Sequence, residues 1–366
     1  MTILPDDSGG LDIVISNAAE RITLRQVEFR RDSLFARFPL YDSELHAHIA
    51  SDSLLSGLWV NHAKGPGYRI PFVARAGKRP RPLDSQAPPA KAFTGTWETR
   101  FSHGTSDAYS AVGEFWQHPG GTVTGTFLTE TGDYRFLEGA AYGDSLLLSC
   151  FDGTHAFLFA AEHRNDSLVG RFWSGTHWQE PWVAVPNPSF KLRHPDSLTQ
   201  LTEDVDRVRF SFPDTDGVLR STDDPDMRGK PLLVHIMGSW CPNCIDETSL
   251  LKDMYHKYHG RGLNVLAIAF EKHREKDRAI AGLQRFKDVL HVPYPILYGG
   301  PAAKSEALEQ LPFLKHLMSY PTCVFIDRSG EVKRIRTGFY GPGTGAHYVR
   351  YREDLDRYLE ELVSMP

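Results

Sequence analysis

The strongest chemical signal in this 366-residue chain is GSWCPNCIDE, Gly238 to Glu247, where two of the four cysteines stand two residues apart. A zinc clip, a structural disulfide and a redox centre all use such a pair. Zinc needs a second ligand pair. There is no second CxxC, and His256 and His259 lie well along the helical pattern that follows, where a solvated face accounts for them. As a staple the pair is weak, because so short a loop barely constrains the unfolded chain. The surroundings favour a redox centre. Cys241 follows an apolar run fit for a buried strand and opens a helix, where exposed backbone N–H groups stabilise a thiolate. Cys244 then lies about one turn further in. Cys241 is the expected nucleophile and Cys244 the buried resolving thiol, forming a redox-active disulfide through a mixed-disulfide intermediate.

The elements that position the pair are legible after about Val205. KPLLVHIMGSW reads as a buried strand. CIDETSLLKDMYHKYHG reads as a helix with Leu250, Leu251, Met254 and Tyr258 on one face and Gly260 as its stop. LNVLAIAFE is a second buried strand, and SEALEQLPFLKHLM is helical with a bend near Pro312. TCVFIDRSGEVKRIRTG is a hairpin turning at Ser329-Gly330, and YVRYREDLDRYLEELVS is the final helix. Alternating strands and helices predict an α/β domain with a mixed central sheet.

Up to about Asn187 the punctuation differs. Short apolar runs are broken by Asp-Ser, Asp-Gly and Asn-Asp pairs, the mark of antiparallel hairpins. YGDSLLLSCFDGTHAFLFAAEHRNDSLVGRFWSG shows it most clearly, and six of the seven tryptophans lie in this half. A closed barrel or a sandwich is expected. Asp52-Ser53-Leu54 leading to Trp59 echoes Asp166-Ser167-Leu168 leading to Trp173, which convergent turn chemistry explains. The predicted organisation is a β-rich domain over 10–190, as two sub-blocks joined near 78–92, a linker over 191–205 and an α/β domain over 206–366.

A net charge of −5 gives no electrostatic footprint for nucleic acid or an anionic membrane. No apolar run is long enough to span a bilayer. MTILPDDSGG has neither a basic nor an apolar signal region, which fits a cytoplasmic protein or an exported one without its signal. TGFYGPGTGAHY lacks the P-loop pattern. Neither a cofactor nor a metal is expected. Cys150 and Cys323 have no neighbouring cysteine to pair with, and nothing in the sequence supports a disulfide between them.

GKPLLVHIMGSWCPNC, with YPTCVFIDRSGEV downstream, resembles the thioredoxin superfamily and most closely its extracytoplasmic TlpA/ResA-like branch. The resemblance covers about 207–366. The β half, particularly GTFLTETGDYRFLEGAAYGDSLLLSCFDGTHAFLF, is similar to an N-terminal region on some TlpA-like proteins of Bacteroidetes-type bacteria and brings no known chemistry. The likeness implies a thioredoxin-like fold and a cis peptide at Tyr320-Pro321 facing the cysteines. Tyr320, Pro321 and Pro242 would then meet an extended substrate segment, with Trp240 beside the nucleophile. It also implies an acidic residue near the cysteines, placed at Glu271. His235, six residues before Cys241, stands where thioredoxins carry a buried Asp and TlpA-like members often Asn. It is either a base toward Cys244 or a core histidine. Glu247 is expected on the surface, and Cys323 as a buried inert thiol.

The expected function is a thiol–disulfide oxidoreductase that reduces disulfides in extracytoplasmic proteins and draws on a membrane or periplasmic electron donor. The alternatives are a peroxiredoxin-like peroxidase, or a binding protein whose β half, with Trp173, Trp178 and Trp182, carries the main role.

Overall fold

The structure, a computed structural model, describes residues 1–6, 9–77, 92–203, 205 and 207–365. Apart from Ala92, the expected joint at 78–92 lies outside the described residues, as do Asp204 and Asp206 at the expected domain boundary. The chain divides into two units: Met1–Thr129 with Tyr134–Leu192, and Glu130–Asp133 with Arg193–Pro366.

The first unit is all β. Strand Gly95–Phe101 pairs with Tyr109–Gln117 on one side and Trp178–Pro186 on the other. The ladder runs on through Thr122–Thr129, Leu137–Tyr142, Ser145–Phe151, Ala156–Arg164 and Ser167–Ser174, and returns to Trp178–Pro186. Eight antiparallel strands therefore close into a barrel, which leaves the ladder no open edge. The alternation read from the sequence is the physical cause. In Ser145–Phe151 the residues Leu146, Leu148 and Cys150 point inward and their neighbours outward. The barrel core is aromatic: Phe101, Phe127, Phe159, Phe172 and Trp182 are all buried, with Phe159 stacked on Phe172 at 4.4 Å. Three strands over Thr2–Leu24 and a five-stranded meander from Gln26 to Arg75 share a second core around Ile13, Leu24, Leu34, Leu45 and Trp59.

Trp173, Trp178 and Trp182 do not form one binding face. Trp182 is fully buried in the barrel core, whereas Trp178 is half exposed and donates to Glu180.

The second unit contains a five-stranded sheet. Its strands are β1 (Leu232–Met237), β2 (Asn264–Glu271), β3 (Ile296–Pro301), β4 (Thr322–Ile326) and β5 (Val332–Thr337), in the order β3-β2-β1-β4-β5. β1 runs parallel to β2, and β2 to β3; β4 is antiparallel to both β1 and β5. The helices are α1 (Pro242–Tyr258), α2 (Lys276–Leu290), α3 (Lys304–Gln310) and α4 (Ala346–Ser364). The mixed-sheet α/β architecture agrees with the sequence pattern, and the central strand β1 is buried along its whole length.

Three local expectations change. The chain reverses at Gly262, in the left-handed region with φ +102°, and not at Gly260, because a short 3-10 turn over His259–Arg261 extends α1. The helix expected across SEALEQLPFLKHLM stops at Gln310. Pro312 has no N–H to donate and disfavours helical geometry at Leu311, which takes φ −122°, ψ 61°. α2 and β3 went unread, although Ala279, Leu283 and Phe286 are buried at helical spacing.

Candidate active site

Cys241 caps the N-terminus of α1. Its backbone is extended (φ −98°, ψ 115°), and its Sγ accepts the N–H of Cys244 at 3.4 Å. Pro242 occupies the first helical position, where its missing N–H costs nothing. The Cys241 thiol lies 3.7 Å from the Tyr320 carbonyl, to which it donates. The Tyr320–Pro321 peptide is cis, and the Pro321 carbonyl accepts the N–H of Gly338 at 2.9 Å. Cys241 and Cys244 are both thiols, but their surroundings differ. Cys241 retains 7% exposure and Cys244 none. Burial pushes the Cys244 thiol well above its ordinary range, and the adjacent Cys241 adds to this.

Trp240 is fixed by a 2.9 Å bond from its Nε1 to the Phe270 carbonyl, and it meets Tyr320 edge-on at 5.7 Å. The Lys272 ammonium sits 4.2 Å from the centre of the Trp240 ring. Burial lowers the pKa of Lys272, and the Cys241 charge opposes that shift. Lys272 is therefore a cation close to the nucleophile that sequence reading missed; its only signal is its position just after the strand that ends at Glu271.

Glu271 is buried at the end of β2. Its carboxylate accepts both the N–H and the hydroxyl of Ser239, at 2.8 and 2.7 Å, two residues before Cys241. Burial raises its pKa to about 7, against the pull of the Ser239 hydrogen bonds. Its direct partner is thus the loop that presents the cysteine.

Glu247 is a correction. It was expected at the surface but is 1% exposed. It lies three residues after Cys244 on α1, so the helix turns both side chains inward together. The Tyr351 hydroxyl donates to one carboxylate oxygen, and His235 Nε2 lies 3.2 Å from the other, misaligned for a hydrogen bond. His235 is fully buried on β1 opposite Cys323 of β4. Burial, with Glu247 next, pushes the Cys323 thiol well upward, the behaviour of an inert core cysteine. Cys150 lies in the barrel core of the other unit. His259 bonds the Leu263 carbonyl at 3.1 Å and stacks on Tyr255.

The structure therefore groups Pro242, Trp240, Tyr320 and Pro321 around the Cys241 sulfur, the less buried of the pair. It places His235 beside Glu247 in the interior, Glu247 lying one turn after Cys244 on α1, and Glu271 against Ser239 in the loop before Cys241.

Residues 206–335 match the model of the AhpC/TSA family. Over 137 residues the chain is 25% identical to the thiol-disulfide oxidoreductase ResA of Geobacillus kaustophilus, covering 37% of this chain and 66% of that protein. Over 113 residues it is 24% identical to the thioredoxin-like protein YneN of Bacillus subtilis, covering 31% of this chain and 59% of that protein. The chain thus spans under two thirds of the length of these relatives. Among solved structures it resembles a thiol:disulfide interchange protein of the thioredoxin family from Chlorobium tepidum. That match has a TM-score of 0.34 and 20% identity, covering 46% of this chain and 99% of the other. Among the described residues no helix is long and apolar enough to cross a membrane.

Proposed function

We propose that this protein is a thiol–disulfide oxidoreductase that reduces disulfides in extracytoplasmic proteins. The observation that carries the reading is the inequality of the two sulfurs. Cys241 is partly exposed at a helix cap, receives the Cys244 N–H and faces the Tyr320 carbonyl, while Cys244 is sealed and kept protonated by burial.

The Cys241 thiolate attacks one sulfur of a substrate disulfide. That S–S bond breaks, a mixed disulfide forms and the first substrate thiolate leaves. Cys244 then gives up its proton and attacks Cys241 Sγ. The second substrate thiolate departs, and the enzyme holds the Cys241–Cys244 disulfide. Two electrons pass to the substrate, and a membrane or periplasmic dithiol donor restores them. The cysteine pair takes the thiol-disulfide oxidoreductase role that the name of the ResA relative describes, and the reducing direction is part of the proposal. Trp240 and Tyr320 flank the nucleophile, and the Tyr320–Pro321 segment meets the extended substrate chain. His235, backed by Glu247, takes the Cys244 proton.

The test is a trap. Cys244→Ala is expected to stop the reaction after the first attack, leaving substrate proteins disulfide-linked to Cys241. Titration of the wild type against glutathione is expected to place the pair among reductants. Capture of no protein, or an equilibrium matching strong oxidants, would overturn the reductase reading. Rapid peroxide consumption in place of disulfide exchange would favour a peroxidase.

A further inference from the structure

In chain order Glu130–Asp133 falls between the barrel strands Thr122–Thr129 and Leu137–Tyr142, yet these four residues belong to the second unit. They meet two parts of its redox site. One is Asn243, which separates the cysteines. The other is the loop Gly338–Gly341, which begins with the residue bonded to the Pro321 carbonyl. The Asp133 carboxylate accepts the Gly341 N–H at 2.7 Å. Asn243 Nδ2 lies 3.4 Å from the Asp133 carbonyl and 3.5 Å from that of Phe339. Arg193 holds Glu130 with a two-pronged ion pair at 2.7 and 2.6 Å.

The approach is close enough to require glycine at two places. Gly132 has φ +141°, and a Cβ there would fall 2.2 Å from Asn243 Nδ2. Gly338 has φ +76°, and a Cβ there would fall 2.9 Å from the Thr131 carbonyl carbon. Two left-handed glycines at one backbone-to-backbone approach are a specified fit. Main chain from 130–133 therefore covers the Asn243 side of the cysteine loop.

We propose that Glu130–Asp133 is a specificity-determining wall of the redox site, admitting disulfides in narrow, extended polypeptide and hindering those set in broad folded surfaces. The inference rests on the oxidoreductase reading. It assigns the wall no chemistry: Asp133 acts by holding Gly341 and the chain beside Asn243.

Two substrates test it, a disulfide joining two short peptides and the native disulfides of folded insulin. Asp133→Ala removes the acceptor of the Gly341 N–H, whereas Asp133→Asn keeps one. Asp133→Ala is expected to raise kcat/KM for insulin relative to the peptide disulfide by about fivefold, the change one lost hydrogen bond supports. Asp133→Asn is expected to keep the wild-type ratio. An unchanged ratio in Asp133→Ala, or an equal shift in both variants, would overturn the wall. A wild type that reduces neither substrate refutes the oxidoreductase reading instead. The wall is then read from Cys241 alkylation, where Asp133→Ala must speed a bulky polymer-linked maleimide relative to iodoacetamide. If that ratio does not move, the wall is rejected.

Discussion

Glu271 is the buried carboxyl at the site whose protonation is shifted toward neutral pH. Glu271 has a folded pKa of about 7 against an ordinary 4.5, because burial penalises its charged form. A raised acid pKa means that the folded state binds more protons than the unfolded state between those values. Stability is therefore full below about pH 4.5 and falls as pH rises toward 7, by roughly a kcal/mol per pH unit at most. Glu271→Gln is expected to flatten that slope while keeping an acceptor for Ser239; urea midpoints measured from pH 5 to about 8 would show it. A slope equal to wild type would mean that Glu271 is charged throughout. His235 makes a kinetic prediction. Its Nε2 is 3.2 Å from Glu247, which follows the resolving Cys244 by three residues on α1. His235→Asn is expected to slow resolution of the mixed disulfide on the order of 10²-fold. An unaltered rate between about pH 6 and 8 would leave it a core histidine. Cys241 and Cys244 were picked out by type and spacing, whereas Trp240 and Tyr320 came only from the resemblance to the thioredoxin superfamily. Glu247 was misread because a carboxylate near the start of a helix is usually solvated, and only the tertiary partners Tyr351 and His235 reveal its burial.

Strand, loop and helix convert that spacing into a site. β1 ends at Met237, α1 begins at Pro242, and Gly238 lets the intervening loop pass under Trp240. A Cβ on Gly238 would lie 2.3 Å from Trp240 Nε1 and 2.8 Å from the Phe270 carbonyl. The bond that fixes Trp240 beside the nucleophile thus depends on a missing side chain. Periodicity revealed α1 because Leu250, Leu251, Met254 and Tyr258 form one buried stripe. It failed for α2, where Ala279, Leu283 and Phe286 are the only fully buried positions among many charges. It overextended α3, where apolar residues continue past Pro312 although the backbone cannot. Hairpins were read well because their turns are encoded locally. At Ser329-Gly330 the Asp327 carboxylate accepts the N–H groups of Ser329 and Glu331, and Gly330 supplies the positive φ.

The chain divides into two units, the first holding the aromatic barrel core and a second cluster around Trp59, the other the mixed sheet. Sequence punctuation separates these halves because period-two runs with Asp-Gly turns differ from strand–helix alternation. The assignment of Glu130–Asp133 to the second unit has no such signal. It depends on a backbone approach between distant positions, which composition and period do not encode. Separate cores predict separable energetics. Phe127 is fully buried in the barrel and packs 4.9 Å from Phe159 and 5.4 Å from Trp182. Phe127→Ala removes most of that packing and is expected to cost about 3–5 kcal/mol. Six of the seven tryptophans lie in the β half, so intrinsic fluorescence reports chiefly on its unfolding. The fluorescence midpoint in urea is expected to fall sharply in the variant. In the absence of denaturant, the glutathione equilibrium of Cys241 and Cys244 should stay at the wild-type value, because Tyr320 and Cys244, the hydrogen-bond partners of Cys241 Sγ, both lie in the second unit. A shift in that equilibrium as large as the loss in stability would show that the barrel core sets the potential, and the two cores would then have to be treated as one.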